Sequence, residues 1–145
     1  MTVIAWDGKT LAADKQATNN NLKRTVTKIR RVKECLIFSS GDFDSCVQLM
    51  DWYERGCDPT NWPAFQGVKD EATNLYFITK HGRVGAYERR SLPFFYEDKF
   101  FACGSGRDYA ITAMHCGKSA IEAVEIACRF DVSCGMGIDF LTLEG

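Results

Sequence analysis

The chain begins Met1-Thr2, and the residue types that could do chemistry are gathered first around that threonine. A small side chain after an initiator methionine normally lets an aminopeptidase remove the methionine, leaving Thr2 with a free α-amine beside its own hydroxyl. Such an amine titrates at about 7.7 to 8.0, so near neutral pH an unprotonated fraction can take the hydroxyl proton. Nucleophile and base would then share one residue. Many chains also begin Met-Thr, so the assignment rests on what accompanies it: Asp14, Lys28, Ser40-Gly41, Gly104-Ser105-Gly106 and Asp131.

The element that must position Thr2 is the first hairpin. Val3-Ile4-Ala5-Trp6 and Thr10-Leu11-Ala12-Ala13 are apolar runs on either side of Asp7-Gly8, a pair suited to a two-residue type I′ turn. That turn predicts Trp6 opposite Lys9, Val3 opposite Ala12 and Thr2 opposite Ala13, with Asp14 just past the chain's start and within side-chain reach of residue 2.

Composition bounds the rest. With 145 residues, 46% of them hydrophobic, the chain is long enough for one domain with a sizeable core, and residues 1–145 are expected to form that domain alone. A net charge of -1 and a pI near 6.1 give no electrostatic reason to expect nucleic acid or an anionic membrane as partner. The basic cluster Lys23, Arg24, Lys28, Arg30, Arg31 and Lys33 reads as a solvated strand edge. Seven cysteines without a C-x-x-C pair fit reduced thiols in a cytoplasm, and His81 and His115 have no Cys or His at ligand spacing, so no metal or other cofactor is expected. No apolar run is long enough to span a bilayer, and there is no basic leader followed by an apolar core, so a cytoplasmic protein is expected.

Along the chain, Lys15 to Asn21 reads as a loop because of its three asparagines. A polar strand carrying Lys28 and a buried strand Cys35-Leu36-Ile37-Phe38 follow. Phe43, Cys46, Val47 and Met50 predict a helix face, capped by Asp42 or Asp44 and ended at Gly56. Residues 57–71, with Pro59, Pro63 and Gly67, read as an irregular connection around Trp62 and Phe65. A second hairpin is predicted from residues 75–79 and 83–87, then a strand at 100–103. Helices are predicted from about Arg107 to Cys116 and after the capping-box pattern Ser119-Ala120-Ile121-Glu122, and a last strand at 138–143. Runs of strands alternating with runs of helices predict an α+β arrangement of antiparallel sheets with helices outside.

Taken together and in this order, Thr2, Leu11-Ala12-Ala13-Asp14-x-Gln16-Ala17-Thr18, Thr27-Lys28-Ile29-Arg30-Arg31, Ser40-Gly41 before a helix, Gly104-Ser105-Gly106-x-x-Tyr109-Ala110 and Asp131-x-x-Cys134-Gly135 resemble the N-terminal-nucleophile hydrolases of the proteasome β-subunit type, including bacterial HslV. The resemblance implies a four-layer αββα sandwich, here a compact variant, with the threonine in a cleft between the sheets. By position, Thr2 resembles the nucleophile, Lys28 the lysine that lowers the pKa values of amine and hydroxyl, and Asp14 its carboxylate partner. Ser105 and Asp131 resemble the residues that hydrogen-bond near the amine and orient it. The N–H of Gly41, or of Ser40 if the loop is one residue shorter, would face the oxyanion. Ala17, Val26 and Arg30 resemble positions lining the pocket for the residue before the scissile bond, and a substrate strand would add between Ala17-Thr18 and Gly41. Read singly, Asp14 also fits a strand-end turn, Lys28 a solvated cation, Gly104-Ser105-Gly106 a helix N-cap and Asp131 an Asx turn. The chain departs from the family in a shorter first hairpin, in the loss of most of a second long helix after the first, and in Cys134 where many members have serine.

The activity implied is that of a threonine endopeptidase cleaving polypeptides, assembled as a homo-oligomeric ring and served by an AAA+ unfolding ATPase. Phe94, Phe95 and Tyr96 could supply an interface or belong to the core. Two other functions fit the same residues: an amidase acting on a small amide, and a catalytically silent ring or scaffold subunit, for which the lost helix is the motive.

Overall fold

Alternation along two strands shows how the layers arise. In β1 (Ile4–Trp6) and β2 (Thr10–Asp14), Ile4, Trp6, Leu11 and Ala13 face one way, while Ala5 and Ala12, with Val3 just before β1, face the other. Because successive side chains point to opposite faces, one strand pair serves two cores. The computed structural model describes residues 2–63 and 73–144.

The first sheet has the order β10-β1-β2-β11, with β10 at Phe101–Cys103 and β11 at Ile138–Thr142. The second has the order β5-β6-β7-β8-β9, formed by Ile29–Val32, Cys35–Ser40, Asn74–Ile78, Val84–Tyr87 and Phe94–Phe95. Every neighbouring pair is antiparallel. Between the sheets Ile4, Trp6 and Leu11 meet Leu36, Phe38, Tyr76 and Ile78. On the outer face of the first sheet lie α2 (Arg107–His115) and α3 (Ala120–Phe130); on that of the second lies α1 (Phe43–Glu54). The result is the αββα sandwich. Small residues let the helices come close on the first sheet, where Ala5 and Ala12 pack on Ala110, Ala113, Ala123 and Ala127.

Helix boundaries follow the expected local chemistry. Asp42 caps α1 by accepting from Ser45 N–H, and Ser119 and Glu122 form the full capping box of α3. The apolar face of α1 differs from expectation: Phe43 is exposed, and the buried positions are Ser45, Cys46, Leu49, Met50 and Trp52. All seven cysteines are free thiols.

Three further expectations are corrected. The first hairpin pairs Trp6 with Leu11, Ala5 with Ala12 and Ile4 with Ala13, two positions away from the predicted register. Asp7 sits before the turn, its side chain accepting from Lys9 N–H at 2.9 Å and Thr10 N–H at 2.8 Å, so Gly8 (φ 95°) and Lys9 are the turn residues. A slip of two keeps every side chain on its face, whereas a slip of one would have reversed them. Residues 15–21 are no simple loop: β3 (Gln16–Asn19) pairs with β4 (Leu22–Thr25) across Asn20-Asn21, both with positive φ. Lys28 lies in neither β4 nor β5 but on the link between them. Of the connection predicted at 57–71, Pro59–Asn61 form a 3₁₀ turn, and the part beyond residue 63, with Phe65 and Gly67, lies outside the described residues, as does Met1.

Candidate active site

The start of β1, the end of β2, the link before β5 and the turn after α3 converge on one carboxylate. Asp14 is fully buried. Its Oδ1 accepts from Lys28 Nζ at 2.7 Å, Thr2 Oγ1 at 3.1 Å and Val3 N–H at 3.1 Å. Its Oδ2 accepts from Gly135 N–H at 3.0 Å and Gln16 N–H at 3.3 Å. A buried carboxylate is tolerable only when its charge is paired and its lone pairs are filled, and this one meets both conditions. The corrected register explains how Asp14 gets there: its N–H donates to Val3 O at 3.1 Å, so it pairs beside residue 3 and not beyond the chain's start.

Thr2 is itself buried. Its carbonyl accepts from Gly106 N–H at 3.1 Å and from Ser105 Oγ at 3.3 Å, which ties the first residue of the described chain to the turn that opens α2. Gly104 in that turn has φ 91°, and a Cβ there would meet Thr2 O at 2.2 Å and Thr2 Cγ2 at 2.3 Å. The glycine is required both by backbone conformation and by the closeness of Thr2.

Asp131 closes the C-terminus of α3 and accepts from Ser133 N–H at 2.8 Å and Cys134 Sγ at 3.4 Å. Burial raises its pKa, but hydrogen bonding from Ser105, Ser133 and Cys134 outweighs this and holds the carboxyl below its ordinary value. Cys134 Sγ also lies 3.8 Å from Ser105 Oγ. Burial, followed by the fields of Asp14 and Asp131, pushes this thiol up to about 12, so it remains a neutral S–H able to donate where a serine hydroxyl would.

The sites expected from sequence thus divide. Thr2, Asp14, Lys28, Ser105 and Asp131 are brought together through the contacts above. Gly41 stands on the link between the end of β6 and the α1 cap Asp42. The Ile29–Phe38 pair puts it at the same end of the second sheet as Lys28. Ala17 and Thr18 lie on β3, which has only β4 as a strand neighbour among the described residues. Val26 N–H donates to Lys15 O at 2.8 Å, continuing the β3–β4 pairing, and antiparallel alternation then leaves the N–H and C=O of Thr18 on the unpaired edge. Arg30 is turned away: its guanidinium pairs with Asp51 and Glu54 of α1, each at 3.0 Å, because position 30 is on the outer face of β5. The basic cluster is likewise not one solvated edge, since Lys23 and Arg24 are exposed and Lys28 is buried. Sequence reasoning assigned no role to Gln16, although its place between Asp14 and Ala17 was the available signal. Among the described residues no group of three or more His, Cys, Asp or Glu side chains could hold a metal ion, and no helix is long and apolar enough to cross a membrane.

No family model matches the chain. Its sequence is similar to proteasome subunit beta 1 of Thermococcus onnurineus, 28% identical over 97% of this chain and 85% of that one, and to the same subunit of Thermococcus kodakarensis, with the same identity and coverage. Among solved structures it is similar to Thiobacillus denitrificans BPH in complex with epoxomicin, with TM-score 0.70 and 18% identity over 99% of both chains. It is also similar to eukaryotic HslV from Trypanosoma brucei, with TM-score 0.67 and 19% identity over 97% of both. The Anbu Gly-1 mutant from Hyphomicrobium sp. strain MC1 aligns with TM-score 0.71 and 13% identity over 98% of this chain and 81% of that one. The resemblance seen in the sequence holds at the level of the fold, which is that of the proteasome β-subunit and HslV type.

Proposed function

We propose that this chain, built on the proteasome β-subunit and HslV fold, is a threonine peptidase whose nucleophile is Thr2 after removal of Met1. One observation carries the reading: the Thr2 hydroxyl and the Lys28 ammonium meet on the same buried oxygen, Asp14 Oδ1. The ammonium sits where it favours the deprotonated forms of the neighbouring hydroxyl and amine, and Asp14 holds it there. In the reaction Thr2 Oγ1 attacks the peptide carbonyl carbon while its proton passes to the α-amine. The N–H of Gly41 faces the oxyanion of the tetrahedral adduct. Collapse breaks the C–N bond, the departing amine takes the proton from the α-ammonium, and the acyl group remains as an ester on Oγ1. Water then hydrolyses that ester with the same amine as base. Ser105, Asp131 and Cys134 orient the amine.

The substrate is an extended polypeptide that adds as a strand along the free edge of β3 at Ala17-Thr18, main-chain bonds giving binding without strict sequence preference. Residues 1–145 act as one domain, a subunit of a cytoplasmic homo-oligomeric ring fed by an AAA+ unfolding ATPase. Phe94 and Phe95, exposed on the edge strand β9, are candidates for the ring contact, whereas Tyr96 packs on the inter-sheet core.

Comparison of Thr2→Ala with Thr2→Ser tests the reading. Thr2→Ala removes the attacking oxygen and should abolish casein hydrolysis with fold retained. Thr2→Ser keeps oxygen and amine, loses a rotamer-restricting methyl, and should retain measurable turnover. Wild-type activity in Thr2→Ala would refute it, small-amide turnover without casein cleavage would favour an amidase, and no turnover with any substrate would favour a silent scaffold.

A further inference from the structure

Gln16 is a buried amide that the mechanism above does not use, only 2% exposed. Its Nε2 donates to Thr18 Oγ1 at 3.1 Å and to Val132 O at 3.2 Å, so both amide hydrogens are engaged, one on each of two separate segments. The first acceptor stands on β3, whose free edge is offered to a peptide. The second lies in the turn that carries Asp131 and Cys134. The amide oxygen is pressed against the same turn, since a Cβ on Gly135 would meet Gln16 Oε1 at 2.9 Å. The backbone repeats the connection: Gln16 N–H and Gly135 N–H share Asp14 Oδ2, and Lys15 N–H donates to Gly135 O at 3.0 Å.

Resting on the peptidase reading, we propose that Gln16 is a positioning residue that couples the substrate strand to the orienting carboxylate. A peptide bonded along β3 holds Thr18 in place. Through the Gln16 amide, Thr18 holds Val132, and the Asp131–Cys134 turn is thereby set against Thr2 and Ser105. Occupation of the binding edge and alignment of the catalytic amine are linked through the Gln16 side chain. The linkage acts on the chemical step, because the main-chain groups that bind substrate are untouched when the Gln16 side chain is changed.

The test uses the full chain with Met1 removed and measures peptide hydrolysis per site titrated by a peptide vinyl sulfone, in wild type, Gln16→Met, Thr18→Val and the double variant. Methionine matches glutamine in length without donors, and valine matches threonine in shape on a strand. The expected result for Gln16→Met is a fall in kcat of about ten-fold, the worth of one to two buried hydrogen bonds. Its KM should change by less than about two-fold. Thr18→Val should lower kcat by a smaller factor, and the double variant should match Gln16→Met alone, since both act through one connection. Unchanged kcat per titrated site in Gln16→Met, a loss confined to KM or to the fraction of titratable sites, or losses that multiply in the double variant would overturn the inference. If Gln16→Met does not fold, Thr18→Val on its exposed strand decides alone, and an unchanged kcat overturns it. A wild-type chain that neither labels nor hydrolyses peptide overturns the peptidase reading and this inference with it; an active wild type with an unaffected Gln16→Met overturns the inference only.

Discussion

Lys28 and Arg30 are two residues apart and carry the same charge, yet they belong to different regions of the molecule. Lys28 reaches inward to Asp14, and their side chains are 7% and 0% exposed. Arg30 reaches outward to Asp51 and Glu54, and those three side chains are 32%, 41% and 51% exposed. The inner pair is the more demanding one, because desolvating two charges is repaid only if every remaining lone pair finds a donor. Thr2, Val3, Gln16 and Gly135 supply those donors, so the pair exists only because four distant segments have already been assembled. The outer group of three makes no such demand; water would serve its members nearly as well. Proximity in sequence therefore says little about role, and the solvent each cation can reach says a great deal.

The largest expected effect in this comparison is that of Lys28→Ala, which leaves Asp14 charged and buried without its cation. Loss of about 3–5 kcal/mol of stability is expected in chemical denaturation, together with loss of peptide hydrolysis. Lys28→Arg should also fail in hydrolysis, since a planar fork cannot take the place of a compact ammonium. Wild-type stability in Lys28→Ala would show that the inner pair is no more demanding than the outer. Next comes Gly104→Ala, which brings a methyl onto Thr2 at a positive φ. It should cost about 3 kcal/mol or more and displace the nucleophile. A crystal structure with Thr2 unmoved, or an unchanged melting temperature, would contradict the closeness described here.

The pH dependence sharpens the same contrast. Asp131 is held below its ordinary carboxyl value in the fold, so its contribution to stability is present above the unfolded-state value and is lost as pH falls through the folded one. Asp131→Asn should therefore flatten the decline of melting temperature on the acid side while leaving the curve near neutral pH with the same shape; an identical acid limb in the variant would remove Asp131 from the account. The smallest effect is that of Arg30→Ala, about 0–1 kcal/mol and screened by salt. A larger loss, or a changed preference for the residue before the scissile bond, would return Arg30 to the substrate pocket.

Much of this was legible in the sequence, for identifiable reasons. Caps and turns act locally, so Asp42, the Ser119–Glu122 box and the hairpin around His81-Gly82 could be located from a few neighbouring residues. The family pattern fixed which residues to compare, and Thr2, Asp14, Lys28, Ser105 and Asp131 do lie together. What escaped was whatever depends on a partner far along the chain. The first hairpin slipped by two because the Asp7 side chain competes for the turn, binding Lys9 and Thr10 N–H on one side and Ala120 N–H at 2.8 Å on the other. Of the three asparagines that suggest a loop, Asn19 ends β3 and Asn20-Asn21 make the turn of a hairpin whose mostly exposed strands show no apolar alternation. Arg30 resembles a pocket residue by position alone, and its face of β5 follows only from the packing of Ile29 between the sheets.

The central claim, that Thr2 without Met1 is a nucleophile armed by the Asp14–Lys28 pair, is tested most directly by intact mass before and after exposure to a peptide vinyl sulfone. The account predicts a chain lacking Met1 that gains one adduct, mapped by fragmentation to Thr2 and absent from Thr2→Ala and Lys28→Ala. A chain that fully retains Met1, or an adduct that forms equally well in Thr2→Ala, would contradict it.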